Sequence, residues 1–512
     1  MSTGLAPRRR LEFRAVAGFF WNYGGFLGGR IAFFVATLIL ARLLAPDDFG
    51  LVAFALAFLA YVHNVTSHGI GETLVYRTDA NDVSLASTAY WLAVGSAVVL
   101  TAVFWLSAPA IASFSSESST MTWVLRVLSL QLVITALAST HAYLLRHSLD
   151  FRRIFVVEQA GGLFKGGVSV ALAFAAAGVW SLVVGQLAGA LASAVALWLV
   201  SGFRPKLVFD RSHAASTLRV GSAFMGLAIL GEAARNIDFV IVGTRLGLTE
   251  LGFYVLAFRL PELAVLAIFE AVWNVLFPFY SRLRELGRSE ESSRQELVRG
   301  YRQTIRLGAL FAFPLAAVVA ALALPLVLTL YGERWRPSAI PLALIAVWAG
   351  LTAVNGMAGT VLKSIGRPGV LLRNSFVYLA VLLPSLWFAA DFGIAAVAGA
   401  HVAAQVLWLP FLAFTVGRVL TVSWLETVVN VLPGLFVGGM LAAALIPLAQ
   451  ALHPALALAA GGPLAVVLYV VLLRLIVPGD FRALIDRLRE LRASRADRDL
   501  AVMPDEIFTP RA

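Results

Sequence analysis

The sequence predicts an all-α polytopic membrane protein, with about 14 transmembrane helices in two parallel-repeat six-helix bundles plus two C-terminal helices. Three observations predict it. Apolar stretches of about 20 residues, the length that crosses a ~30 Å hydrocarbon core, recur along the 512 residues. The connectors between them alternate between arginine-rich and arginine-poor, as expected when Lys and Arg accumulate on the cytoplasmic side. A short motif, Leu44-Ala-Pro-Asp-Asp-Phe-Gly50, returns as Leu246-Gly-Leu-Thr-Glu-Leu-Gly252.

Composition agrees. The chain is 60% hydrophobic and only 13% charged, with mean hydropathy +0.85, whereas a soluble domain carries about 25% charge. The net charge of +11 lies mostly in connectors and tail, where it orients helices and meets anionic headgroups; nucleic acid is not the expected partner. With no cysteine there is no disulfide, thiolate metal site or cysteine nucleophile. Arg8, Arg9, Arg10 and Arg14 precede a first apolar stretch too long for a signal-peptide core, so no cleavable signal is expected.

The spans read, in order, as 17–44, 49–70, 85–108, 122–145, 154–176, 179–201, 218–246, 252–279, 304–330, 338–362, 369–390, 393–416, 425–449 and 454–477. None shows the strand-like alternation of a barrel. Connectors assigned to the inside carry Arg146, Arg152 and Arg153, then Arg204, Lys206, Arg211 and Arg219, then the run from Arg282 to Arg302, and finally Lys363, Arg367 and Arg373. Those assigned to the outside, such as 45–48, 113–120 and 391–392, are poor in basic residues; Arg334 and Arg336, beside Glu333, are the exception. Both termini then fall in the cytoplasm.

In the repeated motif, a basic residue (Arg42, Arg245) ends one span and an acidic turn begins the next. Six spans separate the copies, so both have the same orientation, as in transporters whose halves are related by an axis along the membrane normal. The expected organisation is a basic cytoplasmic N-terminus (1–16), an N-terminal bundle (17–201), a cytoplasmic connector acting as hinge (202–217), a C-terminal bundle (218–416), appended helices 13 and 14 (425–477) and a basic amphipathic tail (478–512). The polar stretch 281–302 reads as an amphipathic helix on the cytoplasmic surface.

A charge near the bilayer centre costs about 2.5–3.5 kcal/mol, so it faces a wet cavity or a partner. Arg126 and Arg306 lie near span ends and can snorkel. Arg30 and Lys165 sit mid-span, and Arg259 lies two turns into span 8. For Arg30 and Lys165 the alternatives are an aqueous central cavity and a structural ion pair. Span 7 carries Glu232, Arg235 and Asp238 at spacing three, which forms either a self-neutralised cluster or an acid that exchanges its partner or proton during turnover. Span 8 adds Glu262, one turn from Arg259 with Pro261 between them, and Glu270 deeper. A proline inside a span frees a carbonyl and loosens the helix. His63 and His68 face different sides of span 2 and do not suggest a shared metal; His141 and His401 stand alone and read as polar helix contacts. No P-loop, HExxH or GxSxG occurs, so neither nucleotide hydrolysis nor standard hydrolase chemistry is expected, and no cofactor or metal is implied.

Five segments resemble one family. They are Ala41-Arg-Leu-Leu-Ala-Pro-Asp-Asp-Phe-Gly50, His68-Gly-Ile-Gly-Glu-Thr-Leu-Val-Tyr-Arg77, Gly178-Val-Trp-Ser-Leu-Val-Val-Gly-Gln186, Leu251-Gly-Phe-Tyr-Val-Leu-Ala-Phe-Arg259 and Phe277-Pro-Phe-Tyr-Ser-Arg282. In order and spacing they resemble the polysaccharide or O-antigen flippases of the multidrug/oligosaccharidyl-lipid/polysaccharide exporter superfamily. The family often carries Asp where this chain has His68, which would place any coupling role there on histidine protonation near pH 6.5.

The resemblance implies a flippase, not an enzyme, that moves an undecaprenyl-pyrophosphate-linked oligosaccharide outward across the bacterial inner membrane. Arg30, Lys165, Arg235 and Arg259 would line its cationic cavity, while Glu232, Asp238, Glu262, Glu270 and His68 are candidates for ion coupling. It also implies a multi-pass inner-membrane protein of surface, exopolysaccharide or lipopolysaccharide biosynthesis, working alongside a polymerase and glycosyltransferases; a monomer is expected because one chain already contains both bundles. A multidrug organic-cation antiporter shares the fold, but its cavity should be rich in acids and aromatics. A membrane polysaccharide polymerase or ligase usually needs a large outer loop, and every outer connector here is short.

Overall fold

The computed structural model describes residues 28, 31–76, 82–114, 118–148, 150–286, 290–366, 368–479 and 482, without the side chains of 64–76, 151, 219–229, 284–286, 290 and 368. Arg30, the 1–16 segment and almost all of the tail lie outside the described residues, as does the His68 side chain. Among the described residues there is no strand. The helices are α1 (Ile31–Leu43), α2 (Pro46–Tyr76), α3 (Val83–Ala112), α4 (Ser118–His147), α5 (Phe151–Phe174), α6 (Val179–Val200), α7 (Arg211–Arg245) and α8 (Leu248–Pro261), which runs through a π-helical turn (Glu262–Leu266) into α9 (Ala267–Leu286). Then come α10 (Glu290–Ala321), α11 (Ala323–Leu326), α12 (Ala339–Ser364), α13 (Pro368–Ala389), α14 (Ile394–Leu420), α15 (Trp424–Ala451) and α16 (Pro454–Ile476).

Ten helices among the described residues are long and apolar enough to cross a membrane. The predicted spans outside that set are α1, which is short, α5, α7, and the α8–α9 rod, which the π turn divides. Lys165 is on α5, Glu232, Arg235 and Asp238 are on α7, and Arg259, Glu262 and Glu270 are on α8–α9. Three of these four elements hold the interior charges. Outward-facing Leu106, Leu199 and Leu475 are exposed, as expected of a surface bathed in lipid tails rather than water.

The two copies of the sequence repeat meet face to face. A Cβ on Gly50 would come within 1.8 Å of the Leu248 carbonyl oxygen, and one on Gly252 within 2.0 Å of the Pro46 carbonyl oxygen. Only glycine permits backbones to approach so closely. Thr249 Oγ1 donates to Asp47 Oδ1, across 202 residues of sequence. Each glycine contact has its mirror image at the same offset, the pattern of a local twofold axis. The short 3₁₀ turn Glu333–Ser338 seals this seam. Trp335 is fully buried, edge-on to Phe49 at 5.3 Å and to Phe253 at 5.8 Å, and its Nε1 donates to the Ala41 carbonyl at 2.7 Å. Arg334 Nη1 donates to the Leu44 carbonyl at 3.2 Å and Ser338 Oγ to the Phe253 carbonyl at 2.8 Å. The basic turn that broke the charge alternation thus commits Arg334 to a backbone oxygen of the seam.

Two segments differ from expectation. The 202–217 connector is extended only as far as Asp210, because Asp210 caps α7 through Ser212 and His213. Its extended part is strapped to α3: the Lys206 amide donates to Ser87 Oγ at 3.0 Å, the Asp210 amide to Thr88 Oγ1 at 3.1 Å, and Trp91 Nε1 to the Lys206 carbonyl at 2.8 Å. The 281–302 stretch is not a separate surface helix; it is divided between the end of α9 and the start of α10, held by i,i+3 pairs such as Glu291–Arg294 at 2.8 Å and Glu296–Arg299 at 3.0 Å. Helix α15 lies on α10 where Gly434 and Gly438 press on the backbone of Ala309 and Phe313.

Candidate functional site

Helices α5 and α6 approach closely because α6 presents glycines: a Cβ on Gly189 would lie 2.7 Å from Lys165 Cβ, and one on Gly185 would lie 2.9 Å from the Lys165 carbonyl oxygen. Small residues let helix backbones meet in this way inside membranes. The Lys165 side chain is thereby directed to α1, with Nζ 3.9 Å from the centre of the Phe33 ring. Arg259 reaches the same ring from the opposite half of the chain, its Cζ 5.8 Å from the centroid. Two cations predicted from separate spans converge on one aromatic ring, where each gains an attraction to the ring face while their like charges repel each other.

Arg259 stands at the end of α8, where Pro261 interrupts the helix and the chain makes its π-helical turn. Such π turns recur at functional sites, where the extra residue re-aims the side chains beyond it. Glu262, the first residue of the turn, lies 3.4 Å from Arg259 Nη1, and both side chains remain partly exposed. Together they edge a small cleft of 70 Å³ against Phe33, Phe34 and Thr37 of α1.

A central cavity of 450 Å³ opens between α2, α4, α7, the α8–α9 rod and α12. Its wall brings together Arg235, Arg259, Glu262 and Glu270, with Phe258 and Trp348 as aromatic surface. Lys165 lines a second cavity of 460 Å³ within the N-terminal half, between α4, α5 and α6. His63 and Gln131 border both, so the two spaces adjoin.

The acids of α7 part company. Glu232 accepts from Asn236 Nδ2 one turn on. Asp238 is fully buried and accepts at Oδ2 from Tyr254 Oη of α8 at 3.1 Å, with His401 Nε2 of α14 also at 3.1 Å. Arg235 is exposed and pairs with neither acid among the described residues. His401, read from sequence as a lone polar contact, is instead the partner of Asp238. Its ring lies edge-on to Phe258 at 6.3 Å and to Trp348 at 5.6 Å, so the pair sits one aromatic layer behind the central cavity. No sequence signal joined them, because 163 residues intervene. His141, by contrast, is a helix contact, with Nδ1 2.6 Å from Ser201 Oγ. No group of three or more His, Cys, Asp or Glu suited to a metal occurs among the described residues.

Known proteins are similar to the chain in sequence and in architecture. A family model described as polysaccharide biosynthesis protein matches residues 39–340. The chain is 27% identical to the succinoglycan biosynthesis transport protein ExoT of Rhizobium meliloti (strain 1021) over 479 residues, covering 90% of this chain and 94% of that one. It is 24% identical to the teichuronic acid biosynthesis protein TuaB of Bacillus subtilis (strain 168), covering 72% and 70%. The lipopolysaccharide biosynthesis protein WzxC of Escherichia coli (strain K12) is 21% identical, covering 69% and 70%. Among solved structures, a lipid II flippase MurJ superimposes with a TM-score of 0.69 at 12% identity, covering 92% of this chain and 99% of MurJ. An inward-facing multidrug resistance MATE family transporter gives 0.60 at 15% identity, covering 77% and 95%.

Proposed function

We propose that this chain, which belongs to the polysaccharide biosynthesis protein family, is a flippase for an undecaprenyl-pyrophosphate-linked oligosaccharide. The observation that carries the reading is the convergence of Lys165, which lines one cavity, and Arg259, which lines the other, from opposite halves on the Phe33 ring. A pyrophosphate bearing sugars is anionic and heavily hydrated, and it crosses hydrocarbon only if the protein replaces its water. Lys supplies a compact charge and Arg a planar fork of donors, both suited to phosphate oxygens. Arg235 adds a third cation on the central wall, and Arg30 a fourth from the first span. The polyprenyl tail would remain in the bilayer, passing the cleft between α1 and the π turn.

The protein acts in the bacterial inner membrane with both termini cytoplasmic, as a monomer whose two bundles rock about the 202–217 connector and deliver substrate to a polymerase fed by glycosyltransferases. An inside-negative potential assists the outward step of an anion by about 2.3 kcal/mol per charge per 100 mV. Asp238 with His401, Glu262 and Glu270 would couple an ion to the return step, and His68 and Glu232 are further candidates.

The test is flipping of a fluorescent undecaprenyl-pyrophosphate oligosaccharide in proteoliposomes by wild type, Lys165→Ala, Arg259→Ala and Arg30→Ala. A charge-assisted hydrogen bond contributes about 1.5–3 kcal/mol, so each substitution is expected to slow flipping about 10–150-fold. Wild-type rates in all three variants would refute the cationic site. Transport of organic cations, with no movement of the lipid, would instead support an antiporter.

A further inference from the structure

We infer that the cavity between α4, α5 and α6 is a saccharide-binding subsite that holds the sugar portion of the substrate while the charged junction holds its pyrophosphate; the inference rests on the flippase reading. On α4 the cavity is lined by Gln131, Thr135, Ser139 and Tyr143, a polar stripe at helical spacing that runs about 18 Å at 1.5 Å per residue. Gln186 and Ser193 of α6 face it, and Gly161, Gly162, Gly189 and Ala190 give the remaining wall little relief. At 460 Å³ it falls within the ~300–1,000 Å³ range of small-molecule sites. Lys165, Gln131 and His63 stand at the end that adjoins the central cavity, while Arg146 and Glu158 stand toward the α4–α5 connector.

The hydrogen-bonding state of this lining points to a polyol. Gln186 Nε2 donates to Gln131 Oε1 at 3.2 Å, and Gln186 Oε1 is buried with no partner. Reversing both amides would exchange the roles and still leave one donor and one acceptor open. Thr135 Oγ1 donates to the Gln131 carbonyl at 2.8 Å and Ser139 Oγ to the Ala136 carbonyl at 3.0 Å. Each hydroxyl proton is thus given to the backbone, and the oxygen lone pairs are left to accept. A lining with open acceptors and an amide pair complements a ligand rich in O–H groups. Tyr143, with the Arg146 guanidinium over its ring, adds an aromatic side chain to the lining. Polar side chains facing the interior of a membrane bundle are costly unless they meet a polar partner, and an apolar drug would leave these acceptors unpaired.

The test uses the full chain in proteoliposomes and lipid-linked oligosaccharide extracted from cells depleted of this protein, fluorescently labelled, alongside the same material trimmed by glycosidase to its first sugar. Variants are Gln186→Leu, Gln131→Leu and the milder Ser193→Ala, each checked for unchanged melting temperature. Losing hydrogen bonds from a site built to make them discriminates strongly between ligands. Gln186→Leu and Gln131→Leu are expected to slow the full-length substrate at least tenfold and the trimmed one less than twofold; Ser193→Ala should show the same bias to a smaller degree. Arg259→Ala should slow both substrates alike. Equal effects on the two substrates, or wild-type rates on both, would overturn the subsite. If wild type moves neither lipid, the flippase reading itself falls.

Discussion

Lys165 and Arg259 illustrate what a residue's type and depth reveal and what they conceal. Each was identifiable from sequence because a charge in mid-span requires a reason. That they share the Phe33 ring was not, because the direction a side chain takes around its helix depends on packing, here on Gly185 and Gly189 drawing α5 onto α6. Asp238 shows the same limit more sharply. Its spacing from Arg235 suggested an intrahelical pair, yet the buried acid takes its bonds from Tyr254 and His401. Leaving a buried hydrogen-bonding group without its partner costs about 1–3 kcal/mol. His401→Ala is therefore expected to lower the melting temperature of the purified protein markedly, and Asp238→Asn, which keeps both hydrogen-bonding positions, to lower it less. Equal melting of His401→Ala and wild type would mean that the pair contributes little to holding α14 on α7.

Among the elements, the apolar helices were legible because hydrophobicity summed over about 20 residues leaves little ambiguity. The ends were less so, since caps decide them. At Asp210 the Ser212 hydroxyl, then the His213 and Ser212 amides, hold the carboxyl below its usual range. A carboxylate whose folded pKa is depressed gives its full support above the unfolded pKa and loses it as the pH falls through the folded value. Amide exchange at Ser212 and His213, corrected for intrinsic rates, should accordingly stay slow at pH 5 and accelerate only below about pH 4, the region of a free aspartate; acceleration already between pH 6 and 5 would contradict the cap. The seam between α2 and α8 makes a second demand. Gly50→Ala places a methyl group against the Leu248 carbonyl oxygen, and a close-packed interior cannot absorb it without moving. Spin labels on the first turns of α2 and α8 should report a longer or broader distance distribution in Gly50→Ala, whereas Gly439→Ala, with nothing within 4 Å of the new Cβ, should leave it unchanged.

For the whole molecule, two halves meet at one closed end through the repeat motif and the Trp335 turn, while the charged cavities lie between and within them. Alternating access requires that this end part. The chain contains no cysteine, so Asp47→Cys with Thr249→Cys introduces a unique pair at residues already in contact. Oxidation is expected to abolish flipping in proteoliposomes and reduction to restore it; unaffected flipping in the cross-linked protein would show that the seam stays shut throughout the cycle. The repeat was visible in sequence as seven residues, but only the folded chain shows that the copies touch each other, since similarity between segments says nothing of their distance.

That contact also imposes a schedule. The two sides of the seam are separated by 202 residues, and a ribosome adds about 5–20 residues per second. The first turn of α2 therefore waits on the order of 10–40 s after synthesis before its counterpart exists. During that interval a tightly shaped, glycine-lined surface stands in the membrane without its match, available to the insertion machinery, to a chaperone or to the wrong neighbour. The length of that interval follows from the number of residues translated between the two copies and the rate of their synthesis.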